Sequence, residues 1–325
     1  MHSVPSHSAS KPHDSDYSRN RARSIRFLVL LTAILALAFF LSLRAGSYNT
    51  PAAELIRGIF GRASDAKINL VIRNNRLPRI CTAMVAGAGL GLAGCILQAV
   101  LRNPLASAST LGVSQGATFG AAVAIIGLSL SQFKQISSEG IVLAGVAISS
   151  MLTGATTLLQ YFADEVALSS LVFWTFGDLG STDWQSLRGM ALAVLLLIGY
   201  CYLHRWDYNA LLSGEETALS LGIHVRRLTL TNVVLTCFVC SVIVSHVGLI
   251  NFIGLVAPHI VRMVVGNNYI YLIPGSVLAG AALLLLSDLA ARVIIMPVIL
   301  PIGALTAFLG GPLFLYLLFK GRGRT

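Results

Sequence analysis

Long uncharged runs separated by short polar connectors set the pattern of this chain. One of them, residues 80–101, carries no charged side chain and has the length of a helix that crosses a bilayer. Arg76 and Arg79 stand before it and Arg102 follows it, so both ends are tied to polar surroundings. Ala83, Gly87, Ala88 and Gly91 repeat along it, and small residues let neighbouring helices approach closely inside lipid. Asn103-Pro104 then breaks the helix. Further runs predict spans over residues 27–43, 110–128, 141–162, 189–203, 228–247, 253–265, 272–297 and 302–319. The apolar stretch 227–262 is too long for one crossing, and Gly248 and Gly254 mark where a bend is expected.

The connectors orient these spans. Residues 1–24 read as a polar, disordered cytoplasmic tail, and residues 25–325 as one transmembrane domain. Arg19, Arg21, Arg23 and Arg26 hold the N-terminus inside, and no small-residue cleavage site closes the first run as a secretory signal requires. Residues 44–75 are expected outside, with a short amphipathic piece over 53–60. The stretch after residue 162 holds Asp164, Glu165, Asp178 and Asp183 but no basic residue until Arg188, which reads as an external loop. Arg205, Arg226 and Arg227 mark a cytoplasmic loop, and Lys320, Arg322 and Arg324 place the C-terminus inside.

These runs give nine crossings, and an odd number cannot return both basic ends to one side. The conflict lies between residues 128 and 141, where about a dozen residues are available and a helical crossing needs about 20. Residues 129–140 are therefore expected to be a short connector, with one neighbouring segment re-entrant or one span missing.

Composition agrees with the pattern: 55% hydrophobic and 11% charged residues make a multispanning membrane protein of all-α class. A net charge of +10 invites a nucleic-acid reading, but the basic residues sit between apolar runs, so topology accounts for them and no nucleic-acid partner is expected. The five cysteines lie in apolar segments. Cys237 and Cys240 have CxxC spacing with no second ligand pair, so they read as reduced packing residues and no metal site is expected.

Two soluble-enzyme motifs fall in membrane runs. Gly89, Gly91 and Gly94 fit the dinucleotide fingerprint GxGxxG, but lie inside an uncharged helix with no acid before Glu139, so helix packing is the better reading. Gly112, Ser114 and Gly116 fit the nucleophile pattern GxSxG. An intramembrane serine protease would pair Ser114 with His246 or His259, a geometry that nothing in the sequence fixes. His246 reads as hydrogen-bonded packing. Asp288 and Arg292 are four apart on one helix face, and a lone charge there is costly, so an ion pair is expected. Ser213 and Glu216 have capping-box spacing, with Ser213 as N-cap, and Gly222 is placed to end the resulting short helix.

The motifs, taken in order, resemble the FecCD-type permease family, the membrane subunits of ABC importers for ferric siderophores, haem and cobalamin. The matching stretches are RLPR at 76–79, the run from Gly87 to Gln98, RNPLA at 102–106, LGVSQGA at 111–117 and LAGVAISS at 143–150. They continue with FWTFGDLGSTDW at 173–184, SGEETALSLGI at 213–223, GLINFIGLVAPHIVR at 248–262, LLLLSDLAAR at 283–292 and LPIGALTAFLGGPLFLYLL at 300–318. The family pattern has ten spans, and a full helix separates the LGVSxGA and LAGVA segments; here GLSLSQFKQISSEG stands in its place, so the resemblance implies that the fourth family helix is missing.

The resemblance further implies alternating access by a homodimer in a bacterial or archaeal plasma membrane, with two ATPase subunits inside and a solute-binding protein outside. It makes Ser213, Gly214, Glu215, Glu216, Ala218 and Gly222 the coupling helix that docks on the ATPase. It assigns Gly87, Gly91, Gln98, Asn103, Pro104, Gly112, Ser114 and Gly116 to the translocation path or its helix packing. Pro258, His259 and Arg262 fall near the cytoplasmic mouth. None of the four lysines is followed by Ser or Thr, so the chain has no phosphate loop of its own, and ATP hydrolysis is expected in a partner. No cofactor is expected. An ion-coupled secondary transporter is the alternative, against which Asp288 is the only acid within a clear span. Co-purification of an ATPase subunit separates the importer from this reading and from the protease.

Overall fold

The computed structural model describes residues 12–45, 51–108 and 138–322, and among these the chain is helical with no strand. The helices are α1 (Pro12–Arg44), α2 (Ala52–Ile59), α3 (Ala66–Val71), α4 (Leu77–Val100), α5 (Ser138–Phe162), α6 (Glu165–Phe176), α7 (Trp184–Leu203), α8 (Arg205–Leu212), α9 (Glu215–Ser220), α10 (Val225–Val247), α11 (Ile253–Val265), α12 (Tyr269–Val293) and α13 (Ile302–Arg322). A π-turn over Ile72–Arg76 joins α3 to α4, so that Ala66–Val100 forms a single 35-residue rod. Among the described residues, five stretches are long and apolar enough to cross a membrane: Ser18–Arg44, Ala66–Val100, Trp184–Leu203, Val225–Val247 and Tyr269–Val293. Ile253–Val265 and Ile302–Tyr316 are shorter apolar helices.

The bundle is built around α4. In its rod 83% of the most apolar window is buried, against 22–56% in the other four long helices, and α7, α10, α11 and α12 all pack on α4. Its glycines are the reason. A Cβ at Gly87 would strike the carbonyl of Gly280 in α12, one at Gly91 the carbonyl of Ser276, and one at Gly94 the carbonyl of Gly254 in α11. Backbone therefore lies against backbone along the whole seam, as small residues permit between helices in lipid.

Several boundaries differ from expectation. Residues 12–24, expected within a disordered tail, continue α1 as helix. There Ser24 Oγ donates to Asn20 O at 3.0 Å and Arg26 Nε to Ala22 O at 3.3 Å, so polar side chains close on their own backbone. The expected external loop after residue 162 contains α6, whose apolar run LVFWTF is too short to register as a span; Glu165 in its first turn complements the helix dipole. The bend expected at Gly254 is absent, because Gly254 lies inside α11 against Gly94. The chain turns instead between Gly248 (φ +72°) and Phe252, which caps α11 with φ +65°. The span expected over 272–297 ends at Val293. The expected span 110–128 and most of the connector 129–140 lie outside the described residues, while Ser138 already opens α5.

Outside the bundle, Glu54 braces the chain after α2: its carboxylate accepts from the amide and hydroxyl of Ser64 and from Arg57, and these bonds, the Ser64 amide first, hold it below the usual carboxylate range. α5 and α6 hold their apolar side chains outward, with Met151, Tyr161, Phe162 and Val166 all more than three-quarters exposed or nearly so.

Candidate functional site

Two polar clusters lie at the two ends of α4. At its N-terminal end Asp288 of α12 is fully buried between two guanidiniums. Arg79 Nε donates to Asp288 Oδ1 at 2.8 Å, and Arg292 Nε lies 2.9 Å from Oδ2. The second approach is off the hydrogen-bond direction, since Oδ2 and Arg292 Nε have no formed bond, so charge attraction holds that side. Arg292 Nη1 also donates to the carbonyls of Ser42 (3.1 Å) and Ala45 (3.2 Å), and Arg76 Nη1 to Leu43 O (2.8 Å), which ties the end of α1 to the same cluster. The expected Asp288 and Arg292 pairing is thus present, but Arg79 is part of it. Arg79 does not reach out to polar surroundings as an arginine at a span end was expected to do. No spacing argument finds that contact, because 209 residues separate the partners.

The segment between α6 and α7 closes over this end. Asp178 N–H donates to Val247 O (2.9 Å), and Trp184 Nε1 donates to Arg73 O (2.8 Å). Asp183 caps α7, and hydrogen bonds from the Ser186 hydroxyl and amide hold its carboxyl below the usual range.

At the other end α4 stops at Val100 and the Asn103-Pro104 turn follows. Asn103 Oδ1 accepts from Leu105 N–H at 2.9 Å, which fixes the turn. An open cavity of about 290 Å³ sits here, lined among others by Gln98, Arg102, Asn103, Pro104, Arg262 and Tyr269. Gln98 Nε2 and Arg262 Nε are buried with no hydrogen-bond partner. Of the other residues expected at this mouth, Pro258 is buried within α11, and His259 lies with its ring 6.4 Å from that of Phe314. Gly87 and Gly91 lie on the glycine seam; Gly112, Ser114 and Gly116 lie outside the described residues. His246, the other histidine of the protease reading, has Nδ1 2.8 Å from Val242 O on its own helix.

The short helix α9 projects beside the cavity. Its N-cap is Gly214 (φ +109°), not Ser213, and no side chain caps it, so the expected capping box is not formed. Ser213 instead offers its carbonyl to Thr217 Oγ1 at 3.1 Å. The left-handed conformation at Gly214 is what turns the chain, and a serine one place earlier cannot reach the helix amides from there. Ala218 is buried beneath the helix, while Glu215, Glu216, Leu219 and Leu221 face outward. Gly222 ends the segment with φ +82°. Sequence reasoning missed one contact here: Arg102 Nη2 donates to Glu215 Oε2 at 2.8 Å, joining α9 to the end of α4.

The model of the FecCD transport family matches residues 34–138 and 126–320. The chain belongs to that family. A protein of Methanocaldococcus jannaschii named as an ABC transporter permease is 41% identical, over 94% of this chain and 97% of its own length. The hemin transport system permease protein of Yersinia pestis is 33% identical (91% and 95%), and the vitamin B12 import system permease protein of Klebsiella pneumoniae 36% identical (93% and 96%). A solved structure described as an inward-facing conformation of a metal-chelate type ABC transporter superposes with a TM-score of 0.78 at 32% identity, covering 91% of this chain and 99% of the other. The FecCD membrane fold is thus present across nearly the whole chain. The alignment to the M. jannaschii permease runs over 339 positions, more than this chain's full length, although both proteins are covered almost end to end. The extra positions are therefore internal gaps in this chain, and the family match itself divides into two pieces that overlap at 126–138.

Proposed function

We propose that this FecCD chain is the membrane-spanning permease of an ABC importer, carrying an iron chelate, with a ferric siderophore as the first choice and haem or cobalamin as its rivals. The observation that carries the reading is α9, a capped-by-glycine helix that presents two glutamates and two leucines to its surroundings next to the α4 mouth. Such a mixed acidic and apolar knob is suited to a groove on an ATPase subunit. Two permease copies would enclose the path, two ATPases would dock on α9 from the cytoplasm, and a solute-binding protein would deliver the chelate from outside. Alternating access then follows from ATP-driven movement of α9. The cargo travels as a chelate, so the permease need not strip the metal.

The ion-coupled alternative loses ground for a physical reason. A proton or sodium relay needs an acid open to the ion inside the membrane, and Asp288 is enclosed by two arginines.

Glu215→Arg and Gly222→Trp test the docking role. Both variants are expected in the membrane at normal level, with ATPase association or ATP-driven uptake lost. Normal association and uptake in both would remove α9 from the mechanism.

The fourth family helix is proposed to be absent, leaving residues 129–140 as a connector. The supports are the odd number of apolar runs and the internal alignment gaps. Cysteine substitutions at Ser131 and Ser138, labelled by impermeant reagents from each side, should react from the same side. Labelling from opposite faces would overturn the reading of this stretch as a connector on one side.

A further inference from the structure

The contact between Arg102 and Glu215 has two properties that a chance surface ion pair lacks. First, Arg102 is one of two described non-glycine residues with a left-handed backbone, at φ +49°. Residues with a Cβ avoid that region unless the surroundings hold them there, and such strain gathers at functional sites. Second, its ends belong to different parts of the bundle. Arg102 closes α4 and opens the Asn103-Pro104 turn on the cavity, while Glu215 is the first residue of α9. α9 itself packs on α8 and α10, so this ion pair bridges it directly to the cavity-lining end of α4.

We propose that the Arg102–Glu215 pair is a transmission contact, through which displacement of α9 is delivered to the Asn103-Pro104 turn at the mouth of the path. The inference rests on the reading of α9 as the ATPase-docking helix. Both side chains are about half exposed (50% and 49%), so the pair is screened and adds little to stability. That weakness suits a contact that must form and release in each cycle. Arg102 acts as a positioning residue: it works by holding the turn to α9.

The test is a double-mutant cycle on the assembled importer in proteoliposomes: Arg102→Gln, Glu215→Gln and the double variant. Both substitutions keep side-chain length and remove charge. Three readouts are needed: ATPase association, ATP hydrolysis, and chelate uptake per ATP hydrolysed. Association is expected to persist in Arg102→Gln, with a melting temperature within about 2 °C of the parent. Uptake per ATP should fall about 10-fold in each single variant, the size of a typical coupling between sites. The double variant should be no worse than either single one, because the shared contact can be lost only once. Unchanged uptake per ATP in Arg102→Gln would overturn the proposal. So would losses that multiply to about 100-fold in the double variant, since the two residues would then act independently. A parent protein that fails to bind any ATPase would instead defeat the importer reading, leaving a separate signature from failure of the contact.

Discussion

Asp288→Ala is expected to destabilise the protein by about 3–5 kcal/mol, the usual cost of breaking a buried ion pair from one side. The carboxylate is fully buried and neutralises part of a cluster in which Arg79 and Arg292 are about nine-tenths buried. Its removal leaves two guanidiniums adjacent in a dry site with nothing to offset them. Replacing the three residues together by Leu (Asp288) and Met (Arg79 and Arg292) takes the charges away as a set, and such exchanges are often neutral or stabilising. Replacing Asp288 and Arg292 alone is expected to recover less, because Arg79 stays behind. Melting curves in detergent order the variants: single lowest, double between, triple highest. A triple variant that melts below Asp288→Ala would show that the three charges are not one unit.

Gly94→Ala should also destabilise the protein, though by less. A Cβ there meets the Gly254 backbone, which cannot swing aside as a side chain can, so α4 and α11 must separate. Overpacking of this kind costs about 1–3 kcal/mol and occasionally more, against a gain of about 1 kcal/mol in helix propensity. Gly199→Ala is the matched control: its Cβ meets nothing within 4 Å, so the propensity gain should stand alone. Gly89→Ala should fall between them, since it meets side-chain methyls of Ile243 and Val194 and not backbone. If Gly94→Ala and Gly199→Ala yield equal folded protein, the close approach of the two helices is wrong.

What the sequence made legible was whatever a run or a spacing encodes. The uncharged stretch from residue 80 located the bundle's axis, and its glycines announced close packing without saying which helix they meet. Asp288 and Arg292, four apart, were readable as neighbours; Arg79 was not, because tertiary contacts over such separations leave no periodic trace. The same holds for Arg102 and Glu215. At Ser213 the residue types promised a side-chain cap, and backbone conformation at Gly214 took that place. α6 escaped notice because an apolar helix of 12 residues between acids has the composition of a loop edge.

The α4 helix has 24 residues and so a length of about 36 Å. Glycine-to-backbone packing along its side leaves it little room to bend, and buried charges pin one end while the other is held by an exposed pair. In the proposed importer such a rod would act as a lever with its fulcrum at Arg79. A tilt of about 10° around that point sweeps the Arg102 end through about 6 Å. Small angular adjustments beside a fixed, dry pivot would therefore become displacements of several ångströms at the far end, without any helix having to unwind.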